Sequence, residues 1–302
     1  MSKMSLVVMM SLISFAGCFG QESDVAGDNS LLWKIEGNGL PRPSYLFGTI
    51  HLICKDDAGL SASLKKIIKE SDEVYFEVDL DNLMEMMGMV SKFKMRGDTT
   101  LKDLLSGEEY GKVKAYFEKN GGLLPFSLLE TYKPILAASV LGQNNMPCES
   151  TSAMEQEIMA EAKKFNKKIK GLETMDFQAS VLDNIPYNLQ AAQLVKYVEE
   201  AGTGGGSDDE MKSMMQAYRE QDLSKLEKLI TESDPAISNY TDVLLFQRNK
   251  NWVEKMKTLM AEKSLLFAVG AGHLPGSEGV IDLLRKAGYT VTPEVNKTVK
   301  AI

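Results

Sequence analysis

Apolar runs of strand length gather at the two ends of the chain, and amphipathic stretches of helical period fill the middle. Leu31-Leu32-Trp33-Lys34-Ile35-Glu36 and Tyr45-Leu46-Phe47-Gly48-Thr49-Ile50 flank Gly37-Asn38-Gly39 and Pro41-Arg42-Pro43, a turn-forming composition that predicts a hairpin. Gly59-Leu60-Ser61 opens a helix with Leu64, Ile67 and Ile68 on one face and Lys65, Lys66 and Lys69 on the other. Glu73-Val74-Tyr75-Phe76-Glu77-Val78 follows as a third strand, closing a strand–helix–strand unit that implies parallel pairing. At the far end, the strand Leu265-Leu266-Phe267-Ala268-Val269, a helix from Ser277 to Ala287 and Tyr289-Thr290-Val291 as a last strand form the final unit.

Between them the pattern is helical. Leu83 to Met95 is rich in methionine, with Met84, Met87 and Met95 at apolar positions that read as core packing. Further helices are expected over Glu149–Phe165, Phe177–Gly202 with a break at Pro186, Asp208–Thr231 and Ile237–Lys263. Lys168-Ile169-Lys170-Gly171-Leu172-Glu173 is a short strand with a turn. Gly202-Thr203-Gly204-Gly205-Gly206-Ser207 reads as a mobile loop, with no domain boundary there. The expected fold is α/β with α+β character. A small mixed sheet from residues 30–80 and 264–293 carries a large helical insertion over about 80–262, all within one domain, 31–296.

The 302 residues carry a net charge of −8 with no block of basic side chains, which argues against a nucleic-acid partner. Residues 1–20 have the form of a signal peptide: Lys3, an apolar core from Leu6 to Phe15, then small residues. Phe15-Ala16-Gly17-Cys18 resembles a bacterial lipobox, which would make Cys18 a lipidated first residue and the chain's one membrane contact. Ordinary cleavage near Gly20 is the competing reading. Residues 21–30 are a polar tether. The chain is thus expected to be exported, periplasmic or on the outer surface. In that compartment Cys54 and Cys148 are candidates for a disulfide.

The candidate chemistry lies where strands end. The chain has two histidines, and each closes a strand that runs into Gly-x-x-His: Gly48 to His51 and Gly270 to His273. Imidazole serves proton transfer near neutral pH and metal ligation, and open α/β sheets place their sites at the carboxyl ends of strands. A histidine can simply cap a strand, but both being used this way favours a shared site.

Leu32-Trp33-Lys34-Ile35, Tyr45 to His51, Glu77, Gly171-Leu172-Glu173-Thr174, Arg248-Asn249 and Val269 to Leu274 together resemble the TraB/PrgY/GumN family, which is related to the Tiki metalloproteases. The resemblance runs from about residue 30 to the end. It implies a site formed by Gly48, His51, Glu77, Gly270 and His273. Were His51, Glu77 and His273 to converge, they could hold a divalent ion (manganese, cobalt or zinc) that activates water for peptide, ester or amide hydrolysis. Glu173 is then the candidate general base, Arg248 a group for a substrate carboxylate or oxyanion, and Asn249 an orienting residue. A metal-free hydrolase using one histidine as base is chemically sound as well. Two readings from other classes remain: a non-catalytic regulator that captures a peptide, and, ranked last, a haem binder using the same histidines.

Overall fold

The computed structural model describes residues 29–120, 125–144, 146–203, 207–232 and 239–298. The signal peptide with Cys18, the tether up to residue 28 and positions 204–206 of the glycine-rich segment lie outside the described residues. Thr203 closes one helix and Ser207 opens the next.

One mixed six-stranded sheet carries the fold. Its strands are β1 (Leu32–Glu36), β2 (Ser44–Thr49), β4 (Glu73–Phe76), β6 (Lys168–Gly171), β7 (Leu265–Gly270) and β8 (Thr290–Pro293), in the order β6-β4-β7-β2-β1-β8. A separate two-stranded pair joins β3 (Ile53–Cys54) to β5 (Thr151–Ser152). β6, β4, β7 and β2 run parallel; β1 and β8 close one side antiparallel. The hairpin turns through Gly37, Asn38 and Gly39, all at positive φ, which the two glycines reach without strain. β4 and β7 are apolar almost throughout because parallel strands are covered on both faces. Leu265, Leu266, Phe267 and Val269 are wholly buried.

Four expectations are corrected. β2 and β4 are parallel but not adjacent: β7, from the far end of the chain, inserts between them. The sheet also takes a strand from inside the helical insertion, β6, which pairs with β4. Residues 151–152 extend as β5 before helix α7 begins at Met154, so the expected start at Glu149 is too early. Finally, the methionine-rich helix ends at Lys92, short of Met95, and its Leu83, Met84 and Met87 face solvent, Met84 at 81% exposure, instead of packing in a core; Met95, beyond the helix, is buried.

Thirteen α-helices occur among the described residues. α1 (Ala62–Glu70) buries Leu64, Ile67 and Ile68, and Ser61 caps it by accepting from the Leu64 N–H at 3.0 Å. α2 (Leu83–Lys92), α3 (Leu101–Leu104), α4 (Gly107–Asn120), α5 (Phe126–Leu129), α6 (Pro134–Asn144), α7 (Met154–Lys164), α8 (Met175–Leu182) and α9 (Tyr187–Thr203) form the insertion's first part. A second apolar cluster, with Leu101, Phe117, Leu141 and Leu194, holds α3–α6 and α9 together. α10 (Ser207–Arg219) and α11 (Leu223–Thr231) are divided at Gln221, whose φ is 56°, and Asp222, the cap of α11. A π-turn (Asp242–Phe246) leads into α12 (Gln247–Met260), and α13 (Val280–Lys286) precedes β8. α12 turns the stripe Arg248, Asn249, Trp252, Val253, Met256 and Met260 inward, so two polar side chains occupy core-facing positions of a helical repeat.

Because Phe267 lies at the centre of the sheet with its ring 5.7 Å from that of Tyr75, Phe267→Ala should cost about 3–5 kcal/mol of unfolding free energy in urea denaturation. A loss under about 1 kcal/mol would contradict the central position of β7 in this core.

Candidate active site

The register of β2 and β7 sets Gly48 opposite Val269 and Thr49 opposite Gly270, so the two Gly-x-x-His segments leave the sheet side by side. β4 flanks β7 on its other side and delivers Glu77; β6 lies beyond and delivers Glu173. Four adjacent parallel strands thus send one candidate residue each from their carboxyl ends. Both glycines answer to close packing. A Cβ on Gly48 would lie 3.1 Å from Ala271 and Leu274, and one on Gly270 would lie 3.1 Å from the Glu77 carboxylate. The bare Gly270 N–H instead donates to Glu77 Oε1 at 2.9 Å.

The two histidines have unlike surroundings. His273 is buried, in a short 3-10 turn after β7. Asn249 donates its amide N–H to the carbonyls of Glu278 and His273, which leaves its Oδ1 to accept from His273 Nδ1 at 2.6 Å. Arg248 can only donate, so its Nη1, 3.2 Å away, fixes Nε2 as the unprotonated nitrogen. Burial holds the His273 pKa down at about 3. His51, by contrast, is 71% exposed in an open cleft of about 340 Å³, shared with Glu77, Glu155, Gln178 and Met159. Its Nδ1 lies 2.9 Å from Glu155 Oε1, and that hydrogen bond lifts its pKa to about 9.

Arg248 ties the buried part together. Its five N–H groups all have acceptors. Nε donates to both oxygens of Glu173 (3.1 and 3.2 Å), Nη1 to Leu244 O (2.9 Å) and His273 Nε2, and Nη2 to Glu77 Oε2 (2.6 Å) and Glu173 Oε1 (2.7 Å). The guanidinium also stacks 4.7 Å from the Trp252 ring, whose Nε1 donates to Glu173 at 2.9 Å. Burial opposes the charge on Glu77. His273 (itself charged only in acid), Arg248 and His51 outweigh it and hold Glu77 at about 2. For Glu173 burial prevails and its pKa is raised.

The geometry therefore gives the expected residues different parts. Glu77, Glu173, Arg248, Asn249 and His273 form one hydrogen-bonded cluster. His51 is outside it, across the cleft from Glu77. Arg248 has no N–H left for a substrate oxyanion or carboxylate, and Glu173 is bonded through both oxygens. Nor do His51, Glu77 and His273 make a three-ligand metal set: among the described residues no group of three His, Cys, Asp or Glu side chains is placed to hold an ion. Their hydrogen-bond partners give the reason. His51 is turned to Glu155, while Arg248 engages both Glu77 and His273 Nε2, so as arranged these residues do not fit a divalent ion.

Sequence reading missed Glu155. It stands in the first turn of α7 on the stripe Met154, Glu155, Ile158 and Ala162, all buried, and accepts from the Thr49 hydroxyl as well as from His51. Its Oε2 is buried and has no hydrogen-bond partner among the described residues. The available signal was a carboxylate on the apolar face of a helical repeat, where charge is costly unless paired. The loop after His51 is held against the segment that leads to Glu155. Ile53 pairs with Ser152, Cys54 with Thr151, Met154 N–H donates to Ile50 O at 3.1 Å, and Cys54 and Cys148 form a disulfide.

An open α/β sheet with a polar site across the carboxyl ends of its parallel strands is the class defined by fold and geometry. The TraB/PrgY/gumN family model matches residues 31–293, and the chain belongs to that family. Among curated relatives, the metalloprotease TIKI homolog of Amphimedon queenslandica is 24% identical over 95% of this chain and 66% of its own length. Metalloprotease TIKI2 of Xenopus tropicalis is 24% identical over 87% and 59%, and metalloprotease TIKI1 of Danio rerio 22% over 87% and 63%. The chain therefore spans less than two thirds of the length of each of these relatives. No solved structure matches it.

With only two imidazoles, NMR titration should resolve one midpoint near pH 9 (His51) and one near pH 3 (His273). Glu155→Gln should bring the upper one down towards the ordinary value of about 6.5. Two midpoints between 6 and 7 in the parent would contradict both environments. Cys148→Ser should also lower the upper midpoint, because the His51 loop loses its tether, and should cost about 2–5 kcal/mol of stability.

Proposed function

We propose that the chain is a hydrolase of peptide-like amide or ester bonds in which His51 transfers the proton. The observation that carries this reading is the pairing of an exposed imidazole with a buried carboxylate, His51 with Glu155, in a cleft walled by Glu77. With Nδ1 on Glu155, Nε2 is left for water. In its neutral form His51 takes a proton from the water whose oxygen attacks the carbonyl carbon. The imidazolium, stabilised by Glu155, then returns that proton to the leaving nitrogen or oxygen as its bond to carbon breaks. Gln178 donates one N–H to Glu77 at 3.0 Å and keeps a second for the developing oxyanion.

The names of the relatives support a protease-like reaction and suggest a divalent ion, for which manganese, cobalt and zinc are the candidates. Small peptides, esters and amides are the substrate classes to test. The signal-peptide pattern of residues 1–20 supports action outside the cytoplasm, with Cys18 as lipid anchor, and a disulfide suits that compartment.

Because the base form of His51 is scarce below its pKa of about 9, hydrolysis should rise close to tenfold per pH unit from 6 to 8 and level off near 9. Glu155→Gln should move that midpoint down, and His51→Ala should lose about 10²–10⁴-fold in kcat. The measurement is initial rate against pH on a peptide library and aryl esters. A rate unchanged by His51→Ala would sink the assignment.

A further inference from the structure

We propose that Arg248 is the permanent cation of this site and that the chain holds Glu77, Glu173 and His273 in place without a divalent ion. The proposal goes beyond the hydrolase reading and does not depend on it, since it concerns ion uptake and stability.

Three features carry it. First, the acceptors that a metal would need are already committed to one guanidinium. Glu77 Oε2, Glu173 Oε1 and His273 Nε2 lie 2.6, 2.7 and 3.2 Å from its nitrogens. A planar fork spreads its partners along different edges, whereas a divalent ion gathers donors within about 2.0–2.6 Å of a single point. The arrangement that satisfies Arg248 is therefore not one that an ion could enter without rebuilding it.

Second, Arg248 is fixed from its own side. It rises from the inward stripe of α12, donates to the Leu244 carbonyl at 2.9 Å in the preceding π-turn, and lies on the Trp252 ring. Releasing the carboxylates would strand three N–H groups, one on Nε and two on Nη2, in a buried place, at a cost for each.

Third, the cluster needs a cation and already contains one. Two buried carboxylates and a neutral imidazole need a positive partner, and arginine keeps its proton at every pH where proteins are folded. His273 supports the same state: its Nδ1–H is spent on Asn249, and the remaining lone pair faces Arg248. The relatives named metalloproteases raise the opposite expectation, at 22–24% identity.

The test strips the full-length chain with chelator and titrates it with manganese, cobalt and zinc chlorides by calorimetry, then follows thermal unfolding with and without each ion. The parent should show no uptake that depends on Glu77 or His273, and its Tm should not move. Arg248→Ala leaves the carboxylates without a cation. It should unfold at lower temperature, take up about one ion per chain, and regain part of its Tm when the ion is present. Arg248→Lys keeps the charge but loses the fork, so it should fall between the two in Tm and take up no ion. The proposal is overturned if the parent binds about one ion per chain and Glu77→Gln and His273→Ala each abolish that uptake. Should Arg248→Ala fail to fold, the parent titration against Glu77→Gln and His273→Ala still decides.

Discussion

Two carboxylates buried at the ends of neighbouring parallel strands repel each other and lose their hydration, and the structure answers with one arginine. Arg248 donates to Glu77, Glu173 and His273 together, so β4, β6 and β7 are linked through α12 by a single side chain. Removing any carboxylate would leave unmatched donors, and removing the arginine would leave unmatched charge. The tautomer of His273, the low pKa of Glu77 and the inward stacking of Trp252 all depend on where that guanidinium sits.

The topology explains why such a cluster can form. β7 comes from the end of the chain yet lies between β2 and β4, which come from its beginning. The parallel register then brings four carboxyl ends to one edge, where the backbone no longer consumes the space and side chains can meet. Glycine at positions 48 and 270 allows the approach: one admits the turn that carries His273, the other offers its N–H to Glu77. The disulfide and the β3–β5 pair perform a similar service on the open side, drawing His51 to Glu155 across a stretch of about a hundred residues.

The two Gly-x-x-His units are therefore alike in sequence and opposite in setting. One imidazole is buried, neutral and bonded at both nitrogens; the other is exposed and held charged by a carboxylate. Burial disfavours the cation in the first case, and a hydrogen-bonded anion favours it in the second. A pair of equivalent ligands is what the repeat suggests, and a division into a buried structural imidazole and an open proton-transfer group is what the surroundings produce.

Period and composition determined much of this protein on their own. The apolar strands at both ends, the helical middle and the glycine before each histidine are local patterns, fixed by side-chain alternation and turn chemistry within a few residues. They singled out His51 and His273, and the resemblance to the family added Glu77, Glu173 and Arg248. Only the tertiary structure decided what these residues do to one another. The insertion of β7, the recruitment of β6, the exposure of Met84 and Met87 and the pairing of His51 with Glu155 all join segments far apart in sequence. Charge state and hydrogen-bond direction follow from which groups meet in a place of low polarity, and no local pattern records that. Glu155 shows the limit most plainly: a carboxylate on an apolar helical stripe signals that a partner exists, but only the fold says that the partner is His51.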